Sequence, residues 1–195
     1  MSIRSFIAFD LNDDESLKNI QDFQARLKQN QPRLKPIKRE NIHITVKFIG
    51  NIKESMVPQI YKILDKEINE RLLRKEKYVY KLRHVGNFRN YGIIWVGLEG
   101  NMELMQTIKD TVEESLNQRL NIKKDNRRNF KPHITIARLK KKRRDYNTFD
   151  TFKNIIKENR DREFGDFTIR EIVLKKSDLT PKGPIYTTYN GNKFA

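Results

Sequence analysis

Two four-residue stretches hold the side chains best suited to chemistry: His43-Ile44-Thr45-Val46 and His133-Ile134-Thr135-Ile136. The chain has 3 histidines in 195 residues, and two of them stand two positions before a threonine that a β-branched residue follows. Imidazole, with an ordinary pKa of about 6.5, gives or takes a proton near neutrality, so a pair can supply one acid and one base. In-line cleavage of a phosphodiester needs both, one group to deprotonate the attacking oxygen and one to protonate the leaving oxygen, each worth on the order of 10² to 10⁴ in rate. On a strand, the threonine two residues on shares the histidine's face at about 7 Å, where its hydroxyl can donate to a non-bridging phosphate oxygen. With ten threonines in the chain, two such coincidences among three histidines arise by chance in on the order of one sequence in a hundred. That outweighs the plainer reading, two strand histidines in ordinary core hydrogen bonds. His84 has no such threonine and reads as structural. Two histidines with no cysteine and no carboxylate on either strand make too small a ligand set for zinc, so no metal is expected.

The elements that must position these groups follow from hydropathy. "SFIAFDL" alternates as a strand, and Asn12 or Asp13 can cap a helix with Leu17, Ile20, Phe23 and Leu27 at helical spacing. Pro32 and Pro36 mark a loop. "NIHITVKF" alternates strictly, which sends Ile42, Ile44, Val46 and Phe48 to one face and His43, Thr45 and Lys47 to the other. Residues 54–73 read as a helix. "KYVYKLRHV" and "GIIWVGL" read as strands joined by a hairpin connection, followed by a helix in "NMELMQTIKDTVEESLNQRL". "PHITIARL" repeats the geometry of the first histidine strand. A short helix is predicted near 147–158, then one strand in "DFTIREIVLKKS", a turn at "TPKGP" and a last strand in "IYTTYN". This order is mixed rather than regularly alternating and predicts an α+β fold with largely antiparallel sheet.

Composition bounds the rest. A chain of 195 residues can stand as one domain over 1–195 without staples. Hydrophobic residues are 36% and charged residues 34%, yet the apolar positions are ordered along most of the chain, which argues against disorder. Cysteine is absent, which excludes disulfides and thiolate chemistry; with no signal-peptide core and no apolar run long enough to span a bilayer, a cytoplasmic protein is expected, not a membrane one. The formal charge of +16 favours a polyanionic partner. Eleven lysines and arginines lie between Lys123 and Arg144 against Asp125 alone, and Arg33, Lys35, Lys38 and Arg39 precede the first histidine motif. Each cluster flanks a motif, which weighs against a merely solvated loop.

The paired His-x-Thr-x motifs resemble those of the two-histidine (2H) phosphoesterase superfamily, specifically its RNA 2′,3′-cyclic phosphodiesterase branch, the LigT/ThpR or 2′-5′ RNA ligase type. "RSFIAFDL", "HITVKFIGNI", "ARLK" after the second motif and "IVLKKSDLTPKGPIYTTY" extend the resemblance to nearly the whole chain. It implies a two-lobed, duplicated α+β fold with a central cleft, no cofactor, and opening of a terminal 2′,3′-cyclic phosphate to a 2′-phosphate. By the same resemblance His43 is the proton donor, His133 the proton acceptor, and Thr45 and Thr135 hold the phosphate. The spacing alone leaves the order of the two histidines open. Arg138 is assigned to the phosphate by analogy, although strict alternation would point it away from His133. Phe48, Lys131 and Lys140 are candidate substrate contacts; for Phe48, core packing is the stronger expectation. RNA ends or nucleotides with a cyclic phosphate are the expected partners, and a monomer the expected state. Reversal to join RNA ends is open to the same two groups. A non-catalytic RNA-binding module of the same fold is the alternative.

Overall fold

The computed structural model describes residues 1–195 except 75, 126–128 and 182. Arg127 and Arg128 of the basic cluster, and Lys182 in the expected turn, therefore lie outside the described residues. The chain forms β1 (Ser2–Asp10), α1 (Asp14–Asn30), β2 (Lys35–Pro36), β3 (His43–Lys53), α2 (Val57–Leu64), β4 (Tyr78–Phe88), β5 (Ile93–Glu99), α3 (Met102–Leu120), β6 (His133–Arg138), α4 (Phe149–Glu158), β7 (Glu163–Ile169), β8 (Val173–Thr180) and β9 (Gly183–Thr188). The α+β expectation holds: one sheet runs in the order β7-β4-β5-β6-β3-β1-β8-β9, with β2 added beside β6. Every pairing between these strands is antiparallel. No helix of the described residues is long and apolar enough to cross a membrane.

Local chemistry explains the helices. The Asp13 carboxylate accepts the Ser16 amide at 3.0 Å, Asp14 and Glu15 face the positive N-terminal end of α1, and Lys28 sits in its last turn. Leu17, Ile20, Phe23 and Leu27 are all buried. Asn101 caps α3 at the Leu104 amide, and Asn121 ends it in the left-handed conformation that its short polar side chain tolerates.

Three features differ from the sequence reading. The helix expected over 54–73 is a 3₁₀ turn (Glu54–Met56), α2, and a π-helix over Asp65–Leu73; its buried Ile68 and Leu73 are five apart, the repeat of i→i+5 bonding. The loop between Pro32 and Pro36 contains β2, a two-residue edge strand, a place that tolerates proline. "DFTIREIVLKKS" is two strands at opposite sides of the sheet, because the chain turns at 170–172. There Asn69 grips Ile172 through both its amide (2.8 Å) and its carbonyl (3.3 Å).

The sheet's two halves meet at one residue pair, Ile44 opposite Ile134. α2 and α3 lie against the β3 half, α1 and α4 against the β6 half, and one hydrophobic cluster runs beneath both.

Candidate active site

Extending the antiparallel register outward from Ile44 and Ile134 sets His43 across from Thr135 and Thr45 across from His133. Both isoleucines are fully buried on the helix side, so the four motif side chains share the opposite face. The two strands thus contribute residues of the same types on either side of that pair.

Each imidazole is fixed in the same way. Nδ1 of His43 donates to the Asn41 carbonyl at 2.7 Å, and Nδ1 of His133 donates to the Lys131 carbonyl at 2.8 Å, in both cases the residue two positions earlier. A carbonyl only accepts, so Nδ1 carries the proton and Nε2 is left to face the site. Nε2 of His43 lies 3.0 Å from the Thr45 hydroxyl. Around His43 stand Phe6, with ring centroids 5.0 Å apart, and Tyr186 at 5.4 Å, edge-on. Around His133 stand Phe88 at 5.1 Å and Trp95 at 6.2 Å. Trp95 lies flat over Gly86, where a Cβ would come within 2.1 Å of its ring.

Burial lowers the His43 pKa below 6.5. The Asn41 carbonyl and the Asp10 carboxylate oppose that shift, while Lys175 and Arg138 add to it. Asp10 pairs with the buried Lys175 at 2.5 Å, so the nearest anion is largely neutralised before it reaches the ring. Burial likewise pushes the Tyr186 phenol upward, and Arg138 pulls it back.

The field of Arg138 at both His43 and Tyr186 places its guanidinium toward the motif face, against strict alternation. The reason is a β-bulge. Thr135 pairs with Trp95 and Ala137 with Ile94, which leaves Ile136 without a partner on β5. Ile136 and Ala137 are both buried, and Arg138 takes the parity of Thr135. β3 does the same at the equivalent position: Thr45 pairs with Ala8 and Lys47 with Ile7, skipping Val46. Lys47 therefore turns inward beside Val46 and pairs with Glu113 of α3. Phe48 turns outward onto the histidine face, 63% exposed, with its ring 6.2 Å from Phe6. The expectation that Lys47 shares a face with His43, and that Phe48 packs in the core, is corrected on both counts.

Each bulge carbonyl is held by a buried side chain from the helix below. Lys109 of α3 donates to Val46 O at 3.0 Å, and Gln24 of α1 donates to Ile136 O at 2.7 Å and Ile37 O at 2.9 Å. Glu113 joins Lys109 and Lys47; burial would raise its carboxyl, but those two ammonium groups outweigh it and hold the pKa below the usual range.

Of the other expected contacts, Lys131 enters through its carbonyl while its side chain is exposed, and Lys140 is exposed just past β6. His84 bonds to Glu99 at 2.6 Å and Asp161 at 3.2 Å, the structural role expected of it. The reading from sequence missed Phe6, Tyr186, Phe88 and Trp95, because no local spacing ties them to the histidines; the opposed strands bring them in.

Two imidazoles and two threonines presented on one face of a joined antiparallel sheet define a phosphoesterase of the two-histidine class. The chain belongs to the AKAP7 2'5' RNA ligase-like domain family, whose model matches residues 5–194. Among its relatives, the RNA 2',3'-cyclic phosphodiesterase of Methanocaldococcus jannaschii is 35% identical, with 94% of this chain and 96% of that one covered. The protein of the same name from Methanothermobacter thermautotrophicus is 32% identical, with 96% of each covered. A crystal structure of E. coli LigT in apo form superposes with a TM-score of 0.66 at 19% identity over 97% of this chain and 96% of that one, a likeness of fold.

Proposed function

We propose that this protein hydrolyses RNA ends carrying a 2′,3′-cyclic phosphate to a 2′-phosphate and a free 3′-hydroxyl, without a metal. The observation that carries the reading is the matched anchoring of both imidazoles, each with Nδ1 bound to the carbonyl two residues before it, which turns Nε2 to the shared face. In the proposed step His133 Nε2 takes a proton from water as its oxygen attacks phosphorus. The P–O3′ bond breaks opposite, and the 3′ oxygen takes the proton from His43 Nε2. The Thr45 and Thr135 hydroxyls and the Arg138 guanidinium hold the non-bridging oxygens, and Phe48 borders the terminal base. A His43 with lowered pKa is a stronger acid once loaded, and an anionic phosphate beside it favours the loaded form. The full-length identity to relatives named for this activity supports the same reading. The two pseudo-symmetric halves act as one catalytic unit.

The test is turnover of a 2′,3′-cyclic phosphate oligonucleotide in EDTA, with analysis of which phosphomonoester forms. Wild type should yield the 2′-phosphate, and His43→Ala or His133→Ala should each lose about 10²-fold or more. Near-wild-type turnover in either variant would overturn the assignment.

A further inference from the structure

The basic residues of this chain are not equivalent once folded. Arg39 pairs with Asp14, and Lys38 lies 3.7 Å from Glu40. Arg144 bonds to the Asn90 carbonyl and lies over the Phe149 ring at 4.7 Å. Arg33, Lys35, Lys140 and Arg143, in contrast, make no ion pair among the described residues, and Arg33, Lys35 and Lys140 are exposed. Three of these cations converge from distant parts of the chain: Arg33 and Lys35 before β3, and Arg143 from the 3₁₀ turn Lys141–Arg143 after β6. Together with Pro32 and Leu34 they line an open depression of about 500 Å³ that has no carboxylate in its wall. A charge run that only aids solubility has no need of such convergence.

The depression continues from the catalytic face. Lys35 of β2 is the cross-strand partner of Arg138, and paired residues project from the same side of a sheet. The cations therefore run from Arg138, beside the reacting phosphate, through Lys35 to Arg33 and Arg143. Arg33 and Arg143 lie beyond Lys35, the strand partner of Arg138, so the depression extends past the outermost of the groups that hold the terminal phosphate.

We propose that the depression formed by Arg33, Lys35 and Arg143 is a second phosphate site, which holds an internal phosphate of an RNA strand whose cyclic end lies between His43 and His133. The proposal rests on the phosphodiesterase reading above and adds to it that the preferred substrate is an oligonucleotide. A concave, cation-lined site fits a flexible polyanionic strand better than a flat anionic membrane, and the exposed Pro32 ring leaves apolar surface for the sugar. Lys140 lies alongside and adds field without being required.

The experiment compares a 2′,3′-cyclic mononucleotide with a short oligoribonucleotide ending in the same group, for wild type and for the triple variant Arg33→Ala/Lys35→Ala/Arg143→Ala. The triple variant should lose about tenfold in kcat/KM on the oligonucleotide, keep its value on the mononucleotide, and show a salt slope smaller by about 2, near 0.7 for each lost contact to a single strand. Equal loss on both substrates, or no loss on either, would overturn the proposal. So would an unchanged oligonucleotide response beside lost binding to phosphatidylserine vesicles. If wild type cleaves neither substrate, the catalytic reading has failed. The second site is then still decided by anisotropy with an oligonucleotide bearing a 3′-phosphate, on which weaker binding by the triple variant supports it and equal binding rejects it.

Discussion

Burial disfavours the charged form of His43, and this has a measurable consequence for stability. Its folded pKa lies below 6.5, chiefly because the ring is packed against Phe6 and Tyr186. As pH falls, the unfolded chain takes up this proton before the folded one does. The stability contributed by the buried neutral ring is therefore complete above about pH 6.5 and is lost as pH falls below that value. Replacing His43 by Gln should remove that dependence. Denaturant midpoints measured at about pH 5.5 and about pH 7.5 should then differ less in the variant than in wild type; an equal difference would assign the acid limb to other groups. At this scale the sequence was informative where backbone parity was regular. His43 with Thr45 and His133 with Thr135 share a face as alternation requires, while Phe48 and Arg138 do not follow it, because one extra residue in each strand reverses the parity beyond Val46 and Ile136.

The bulges are properties of elements in contact, and their supports lie on helices far from the histidines in sequence. Gln24 uses one amide group to bind the carbonyls of Ile37 and Ile136 at once, which ties α1, the segment after β2 and β6 together at the residue that redirects Arg138. Met fills a similar volume but donates no hydrogen bond. Gln24→Met should cost about 1 to 3 kcal/mol for carbonyls left short of a donor. It should also raise KM for the cyclic phosphate substrate in the manner of Arg138→Ala, with the two changes combined doing little more than one. Gln24→Lys, which restores a donor as Lys109 provides for Val46, should recover KM. A fall in melting temperature with KM unchanged would make Gln24 a packing residue alone. None of this was legible beforehand, since a bulge needs one unpaired residue and nothing in "HITI" marks Ile136 as that residue. The break between β7 and β8 was hidden for a related reason. Ile169 and Ile172 are both buried three residues apart, and the side chain that enforces the turn, Asn69, belongs to the π-helix.

The whole molecule is built from two halves that exchange their helices. α1 lies in the chain between β1 and β3, both in one half of the sheet, yet packs against β6, β7 and α4 in the other, where β2, the short strand that follows it, also pairs. α3 connects β5 to β6 and packs against β3 and α2 across the boundary. The sequence showed a helix leading to each histidine strand; which half each helix would cover depends on long-range packing and leaves no local trace. The exchange means that each half loses one of its two covering helices when the other unfolds, so the bond between halves is stronger than the one strand pair at Ile44 and Ile134 indicates. It also keeps the two histidines in one rigid frame, as the proposed acid and base acting on one phosphorus require. Unfolding should accordingly be one cooperative transition. Trp95, the single tryptophan, reports from the β6 half, whereas far-ultraviolet dichroism reports from all four α-helices. Urea curves followed by the two signals should coincide in midpoint and slope. A tryptophan transition that precedes the dichroism would show the halves parting independently, and the exchanged helices would then not couple the two sites.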